Sequence, residues 1–226
     1  MYLKLRIRRE DREKGVRYET YHVKYEEGMT FLEALQRIKE EQDPTLTFRH
    51  FCRAGICGTC TIYINGYPKL ACKEQVLPYV ITQREVIVEP LKNFRVIKDL
   101  AVDIDPAIRK LRDIGAWIEE RKEEPRIEQE RSRKIEEASD CILCFACQSY
   151  CPQTLEERYA GPLFFAKIFR FLMDPRDRKP QLRLKQAVEE GYLYHCLSCN
   201  KCNNVCPKEV QPATLIRELM IYNTEA

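Results

Sequence analysis

The sequence predicts an α+β protein whose first part is rich in β-strands and whose remainder is helical. Apolar and polar residues alternate in the early part of the chain, whereas helix-start signals and helical spacing of apolar residues follow residue 104. Twelve cysteines fall into three closely spaced groups, one in the first part and two in the second. We therefore predict two domains, 1–98 and 99–226.

The N-terminal part predicts a small sheet with one helix across it. Residues 3–7 and 21–25 alternate apolar with polar side chains, as half-buried strands do. Thr30 and Glu33 form a capping-box pattern at the start of a helix. Residues 61–64 stop at an Asn-Gly pair, a strong hairpin signal, and residues 85–89 suit a short buried strand. This order of elements fits a β-grasp sheet.

The C-terminal part predicts several helices. Asp105 followed by Pro106 suits an N-cap with proline at the first helical position. Four apolar positions then recur at helical spacing: Ile108, Leu111, Ile114 and Trp117, with Ile118 as the alternative for the last. Further helices are expected over residues 163–173 and 215–221, and the first of these is expected to be packed, with one face turned outward as the alternative. The charged residues 119–137 are interpreted as a solvated connector or exposed helix.

Composition excludes several classes of protein. A chain with 44% hydrophobic residues can bury a core, which excludes wholesale disorder, and a net charge of +3 is too small to indicate a nucleic-acid partner. No apolar run is long enough to span a membrane, and no secretory signal follows the N-terminal charges. Twelve cysteines in such a chain indicate metal ligation rather than disulfides.

The first cysteine group has the C-x4-C-x2-C spacing of plant-type [2Fe-2S] sites, followed by a fourth cysteine: Cys52, Cys57, Cys60 and Cys72. Gly55 and Gly58 lie within this loop, and glycine lets backbone amides approach a cluster closely. Four buried free cysteines or a four-cysteine zinc site are the alternatives. Zinc ribbons favour two separated C-x2-C knuckles, so we predict an iron-sulfur site.

The other two groups each read C-x2-C-x2-C-x3-C-P, the bacterial [4Fe-4S] run: Cys141, Cys144, Cys147 and Cys151, then Cys196, Cys199, Cys202 and Cys206. In two-cluster ferredoxins the fourth cysteine ligates the other cluster. One predicted [4Fe-4S] set is therefore Cys141, Cys144, Cys147 and Cys206. The other is Cys151, Cys196, Cys199 and Cys202. Paired zinc sites are the alternative.

The motifs resemble the iron-sulfur subunit of succinate dehydrogenase and fumarate reductase over essentially the whole chain. The matching segments are Phe51-Cys-Arg-Ala-Gly-Ile-Cys-Gly-Thr-Cys60, Asn65-Gly66 before Leu70-Ala-Cys72, Cys141-Ile-Leu-Cys-Phe-Ala-Cys147, Arg170-Phe-Leu-Met-Asp-Pro-Arg-Asp177 and Cys206-Pro-Lys208. The resemblance implies an N-terminal β-grasp [2Fe-2S] ferredoxin domain and a C-terminal α-helical ferredoxin domain with two cubane clusters. It also implies electron transfer between the FAD of a flavoprotein subunit and a membrane anchor that serves a quinone pool.

Two departures from that family carry further expectations. Cys199 occupies a position where the usual [3Fe-4S] centre lacks a cysteine, so a second [4Fe-4S] cluster is expected, with [3Fe-4S] as the alternative. This resembles the non-classical archaeal enzymes and the thiol-linked and methylmenaquinol-linked fumarate reductases. The family's quinone-binding tryptophan and histidine are replaced by residues 153–157 and Leu197, so contact with quinone is expected to be indirect.

Because the chain has no succinate site of its own, no catalytic residue is assigned to it. The resemblance implies a peripheral subunit at the cytoplasmic face of the membrane. The alternatives are the iron-sulfur subunit of another flavoenzyme, such as a thiol-linked or glycolate-oxidase-like complex, and a freestanding ferredoxin or zinc-bound module. His195 is a candidate donor to a cluster sulfur, and Arg53 either offsets cluster charge, faces the flavoprotein or is a plain surface residue.

Overall fold

The computed structural model describes residues 1–118, 126–156 and 158–225, which form two compact units. The N-terminal unit comprises Met1–Asp103 and Ile142–Ala146, and the C-terminal unit comprises Ile104–Cys141 and Cys147–Ala226. The domain boundary at residue 98 stays a prediction. By their contacts, residues 99–103 and a segment of the second cysteine group belong with the N-terminal unit.

The N-terminal unit is built on a five-stranded mixed sheet of order β2-β1-β5-β3-β4. Its strands are β1 (Tyr2–Asp11), β2 (Gly15–Lys24), β3 (Thr61–Ile64), β4 (Tyr67–Leu70) and β5 (Val86–Glu89). β1 and β5 run parallel and the other pairs are antiparallel. Each strand predicted from the sequence is present, because period-two alternation puts one face of the sheet in the core.

Two helices belong to the same unit. They are α1 (Phe31–Arg37), which continues as a π-helical turn at Ile38–Gln42, and α2 (Leu77–Ile81). The predicted capping box starts α1: the Glu33 amide donates to Thr30 Oγ1 at 3.3 Å, and the Thr30 amide donates to Glu33 Oε2 at 2.7 Å. A short ribbon of β6 (Val96–Lys98) and β7 (Ala101–Val102) follows, which the sequence analysis did not predict.

Arg9 extends the inward face of β1 with a buried charge. Its side chain is 1% exposed, and Arg9 Nε donates to Asp99 Oδ1 at 2.9 Å. Arg9 also donates to Glu19 at 2.8 Å, to Thr45 at 3.0 Å and to Asp43. Because these partners lie on β2, on the chain leading to Cys52 and beside β6, the arginine ties three segments of the unit together.

The C-terminal unit is helical. Its helices are α3 (Asp105–Asp113), α4 (Gln129–Ser139), α5 (Ala146–Tyr150), α6 (Pro162–Met173), α7 (Pro180–Lys185), α8 (Lys201–Asn204) and α9 (Pro212–Glu225). Ten of the twelve residues of α6 are buried, and α4, α7 and α9 pack around it. This burial agrees with the expectation of a packed helix. No helix in the described ranges is both long and apolar enough to cross a membrane.

Some local predictions in this unit are wrong. The N-cap of α3 is Ile104, so Asp105 is already helical. The helix ends before Trp117, which is 54% exposed, and the predicted apolar face is buried only at Leu111 and Ile114. Of the predicted charged connector, residues 119–125 lie outside the described residues. The later part forms α4, a largely exposed helix that buries Ile135 and Ala138.

Candidate metal centres

The loop before β3 wraps backbone amides around the sulfur of Cys52. The amides of Ala54, Ile56 and Cys57 donate to Cys52 Sγ at 3.4, 3.4 and 3.3 Å. These donors, with Ala54 first, lower the pKa of the Cys52 thiol to about 6. The loop therefore favours the thiolate, which is the form that ligates metal.

The wrap depends on backbone in the left-handed region. Arg53, Gly55 and Gly58 have φ values of +57°, +70° and +69°. Glycine adopts this region without steric cost, which explains two of the three positions. The φ at Arg53 places an arginine in a conformation that costs free energy, and the surrounding loop holds it there.

The other cysteines of the first group lie close to one another. Cys60 ends the loop before β3 and Cys72 follows β4, and the two thiols are hydrogen-bonded to each other. Burial, followed by the side chain of Cys72 and the charge of Cys57, raises the pKa of Cys60 to about 12, although the backbone amide of Cys72 acts in the opposite direction. Cys57 in turn is hydrogen-bonded to Cys52. A bound cationic group would offset the repulsion among these sulfurs, so the donor set fits a metal cluster.

In the C-terminal unit, four cysteines from two sequence motifs interact. Burial, followed by the charges of Cys151, Cys196 and Cys199, raises the pKa of Cys202 to about 12. Cys151 interacts with Cys199 and Cys196 in the same way. Crossed ligation requires this grouping, in which Cys151 lies with the later motif. The ligand set itself stays a prediction.

The remaining predicted set is divided between the two units. Cys144 lies in the N-terminal unit, whereas Cys141, Cys147 and Cys206 lie in the C-terminal unit. Cys206 Sγ accepts the amide N–H of Val210 at 3.4 Å. This set also stays a prediction. In the described part of the chain, no three His, Cys, Asp or Glu side chains are arranged to hold a single metal ion.

Tyr159 is a site residue that the sequence analysis missed. It is 2% exposed, and its hydroxyl is hydrogen-bonded to Cys196. Burial raises the pKa of Tyr159, so the phenol keeps its proton and donates it toward the sulfur. His195 instead lies 3.6 Å from Glu156, with its side chain 45% exposed, so the structure lends no support to its predicted hydrogen bond with a cluster sulfur. Nothing in the sequence around Tyr159 marks it, because burial decides its role.

Replacing Tyr159 with phenylalanine is expected to lower the midpoint potential of the centre predicted at Cys196. A hydrogen bond to a ligating sulfur stabilises the more negative reduced form, so removing it favours the oxidised form. The measurement is a redox titration of all three centres followed by EPR. Tyr194→Phe is the control, because Tyr194 is 53% exposed and its hydroxyl accepts from Asn223. An unchanged potential in Tyr159→Phe would contradict this role.

Arg53 lines a surface cavity of about 280 Å³ in the N-terminal unit. Glu26, Glu33 and Arg37 are among its other lining residues. The side chain is exposed, which is compatible with either of the predicted roles at the surface. Glu157, one of the residues predicted to replace a quinone-binding side chain, lies outside the described residues.

Comparison with known proteins identifies the family. The description "2Fe-2S iron-sulfur cluster binding domain" matches residues 4–109, and "4Fe-4S dicluster domain" matches residues 136–210. The mitochondrial succinate dehydrogenase [ubiquinone] iron-sulfur subunit 1 of Oryza sativa subsp. japonica is 34% identical over 208 residues, which cover 88% of this chain and 73% of that protein. The chain belongs to the iron-sulfur subunit family of succinate dehydrogenases and fumarate reductases. This confirms the resemblance drawn from the motifs.

Other members of the succinate dehydrogenase and fumarate reductase family agree in fold and sequence. A chain of the Mycobacterium smegmatis Sdh1 complex in the apo form matches with a TM-score of 0.90 and 30% identity, over 99% of this chain and 96% of that one. The α+β fold with a two-iron and a four-iron domain is thereby confirmed. A subunit of the fumarate reductase (CoM/CoB) of Methanothermobacter marburgensis is 39% identical over 204 residues, 89% of this chain. The chain spans 37% to 41% of the length of three methanogen relatives that it matches, this protein included.

Proposed function

We propose that this chain relays electrons between the FAD of a flavoprotein subunit and a membrane anchor, as part of a succinate dehydrogenase or fumarate reductase complex. The observation that carries the proposal is the grouping of cysteines in both units, within a chain of this family. In the N-terminal unit three amides converge on Cys52. In the C-terminal unit Cys151 lies with the cysteines of a motif that begins at Cys196.

Under this proposal, each unit's cysteines hold clusters that accept and release one electron at a time. Cys52, Cys57, Cys60 and Cys72 would hold a [2Fe-2S] cluster. The set Cys141, Cys144, Cys147 and Cys206 and the set Cys151, Cys196, Cys199 and Cys202 would each hold a [4Fe-4S] cluster. The protein's own contribution is to keep these thiolates ionised, to donate hydrogen bonds to their sulfurs and to exclude water. Burial of Cys60, Cys144, Cys147 and Cys202 serves the last purpose.

The anchor, rather than this chain, is proposed to bind the quinone. Leu197, which stands where the family has a hydrogen-bonding histidine, is 60% exposed and offers no donor. The side chain of Glu156, near the position of the family's tryptophan, is 54% exposed, and its carboxylate would repel a quinol anion. A quinone carbonyl left unpaired in a dry site costs about 1–3 kcal/mol. A structure of the complex with a quinone hydrogen-bonded by this chain would refute indirect transfer.

A thiol-linked fumarate reductase is the second candidate. The name of the Methanothermobacter marburgensis relative refers to CoM and CoB, and its identity with this chain is 39%. The match covers only 40% of that relative, so its activity comes to this chain only as a proposal. Anaerobic purification of the native complex separates the two candidates. A membrane anchor among its subunits supports quinone-linked electron transfer, and thiol-dependent fumarate reduction without an anchor supports the second.

The proposed cofactors predict a specific metal content. Anaerobically purified complex should contain about ten iron atoms and about ten acid-labile sulfides per copy of this chain. If the third centre is [3Fe-4S], it should contain about nine iron atoms and still about ten sulfides. Chemical analysis of iron and sulfide, corrected for any metal in other subunits, is the measurement. Stoichiometric zinc with little sulfide would contradict the iron-sulfur assignment.

A further inference from the structure

A short piece of the first [4Fe-4S] motif is part of the N-terminal unit. The segment Ile142–Ala146 groups with Met1–Asp103, and it contains Cys144. Phe145 is 4% exposed, and its ring lies edge-on to that of Phe94, with centroids 5.6 Å apart. This ring contact seats the segment on the N-terminal unit.

Gly58 is where this segment meets the [2Fe-2S] loop. A Cβ built at Gly58 would lie 2.8 Å from Cys144 Cα, 2.8 Å from the carbonyl oxygen of Ile142 and 2.9 Å from Cys144 Cβ. Real Cβ contacts are longer than these, so only glycine fits without movement of the backbone. The hydroxyl of Thr61 donates to the Gly58 carbonyl at 2.8 Å and holds the glycine in place.

This contact brings a residue next to one predicted ligand set against the backbone of a residue in the other set. Gly58 directly follows Cys57, a predicted ligand of the [2Fe-2S] cluster, and the backbone it touches belongs to Cys144, a predicted ligand of a [4Fe-4S] cluster. Electron tunnelling slows exponentially as the separation between redox groups grows. A side chain at position 58 would push the two ligand-bearing segments apart.

We propose that Gly58 is a spacing residue that sets the approach of the [2Fe-2S] loop to Cys144, and that electrons cross between the two clusters at this contact. The inference rests on the proposed function, since it requires both clusters. In the direction of substrate oxidation, one electron would pass from a reduced group held by Cys57 and its predicted co-ligands to an oxidised group held by Cys144 and its predicted co-ligands. No bond is made or broken, and no proton moves.

Gly55 supplies a matched control for the test. It lies in the same loop with φ +70°, close to the +69° of Gly58, so alanine is equally strained at both positions. A Cβ built at Gly55 would meet only the flexible side chain of Lys73, at 2.8 Å. Gly55→Ala therefore reproduces the strain without touching the segment that contains Cys144.

The experiment compares wild type, Gly58→Ala and Gly55→Ala as complete, cluster-loaded complexes. The readout is EPR power saturation of the reduced [2Fe-2S] signal, whose relaxation is enhanced by the nearby reduced [4Fe-4S] group. We expect Gly58→Ala to lose much of this enhancement while keeping its g-values and iron content, and Gly55→Ala to keep it. The inference would be overturned if Gly58→Ala with full iron content showed the same relaxation enhancement as wild type. It would also be overturned if both variants lost the enhancement equally.

A second variant covers the case in which Gly58→Ala fails to assemble. Phe94→Leu weakens the ring contact that seats Phe145 and replaces no predicted ligand. The expected result is a partial loss of the same enhancement at full iron content, and an unchanged enhancement would contradict the inference. Wild-type protein that lacks iron would instead contradict the proposed function itself.

Discussion

Arg9→Met is expected to destabilise the N-terminal unit by about 3–5 kcal/mol, because it removes one partner of a buried ion pair and leaves the other charged. Asp99 is fully buried, and Arg9 Nε is its charged partner at 2.9 Å. A loss of this size is a large share of the roughly 5–15 kcal/mol that separates folded from unfolded protein. Chemical denaturation of the complete chain with its clusters in place, followed by fluorescence, measures the change.

Arg95→Met is the matched control. Arg95 pairs with Asp103 at 2.8 Å, but its side chain is 77% exposed, so removing it should cost no more than about 1 kcal/mol. Equal effects of the two substitutions would contradict the importance of the buried pair.

The group of side chains hydrogen-bonded to Arg9 predicts that the stability of the N-terminal unit decreases in acid. Burial raises the pKa of Asp43, but hydrogen bonds from Thr45, Arg9 and Tyr21 outweigh it and hold the pKa well below its usual range. A carboxyl group with a depressed folded-state pKa stabilises the fold above its unfolded pKa of about 3.9, and this contribution disappears as the pH falls further. We expect the denaturant concentration at the midpoint of unfolding to decrease as the pH falls below about 4. In Arg9→Met this decrease should be smaller.

Removal of iron is expected to unfold the cysteine-bearing part of the C-terminal unit. The segment after Cys196 has little regular structure: Ser198 and Asn200 have φ values of +51° and +56°, and α8 spans only Lys201–Asn204. Helices this short are not stable by themselves. A structural metal site contributes on the order of 10 kcal/mol to folding, so its loss exceeds the stability that the rest of this segment supplies.

Hydrogen exchange of the loaded and the chelated complex tests this prediction. Amides between Cys196 and Cys206 should lose protection without iron, whereas those of β1 and β2 should keep it, because their protection comes from the sheet. Protection of residues 196–206 that is the same with and without iron would show that the polypeptide alone maintains the fold.

Local sequence patterns predicted most elements, because burial of one face imposes a period on a strand and a helix start needs particular capping residues. The alternation in β1 and the capping box of α1 are examples, and both lie where the sequence analysis placed them. Arg9 occupies the next inward position after Ile7. Because arginine is charged, the sequence pattern alone predicts that the apolar face ends before it. Its burial depends on Asp99, which is 90 residues away in the sequence. A pattern confined to one segment does not reveal such a partner.

In the candidate sites too, features that depend on nearby residues were predicted, and features that depend on distant segments were not. Cysteine spacing predicts which residues ligate and what kind of cluster they hold, because most members of each predicted ligand set are close in sequence. The hydrogen bond of Tyr159 with Cys196 and the contact of Gly58 with Cys144 join distant segments, and neither residue type is distinctive in its surroundings. The ribbon of β6 and β7 was missed for another reason, since strands of three and two residues are too short to show a period.

The N-terminal unit cannot be completed until the segment Ile142–Ala146 has been synthesised. Because this segment completes the N-terminal unit, the unit is interrupted in the sequence by residues 104–141. At about 5–20 residues per second, a ribosome needs roughly 2–9 seconds to extend the chain from Asp103 to Ala146. During that interval Phe94 lacks its aromatic neighbour and Gly58 is uncovered, so the loop that carries Cys52, Cys57 and Cys60 stays open on this side until Ala146 has been added.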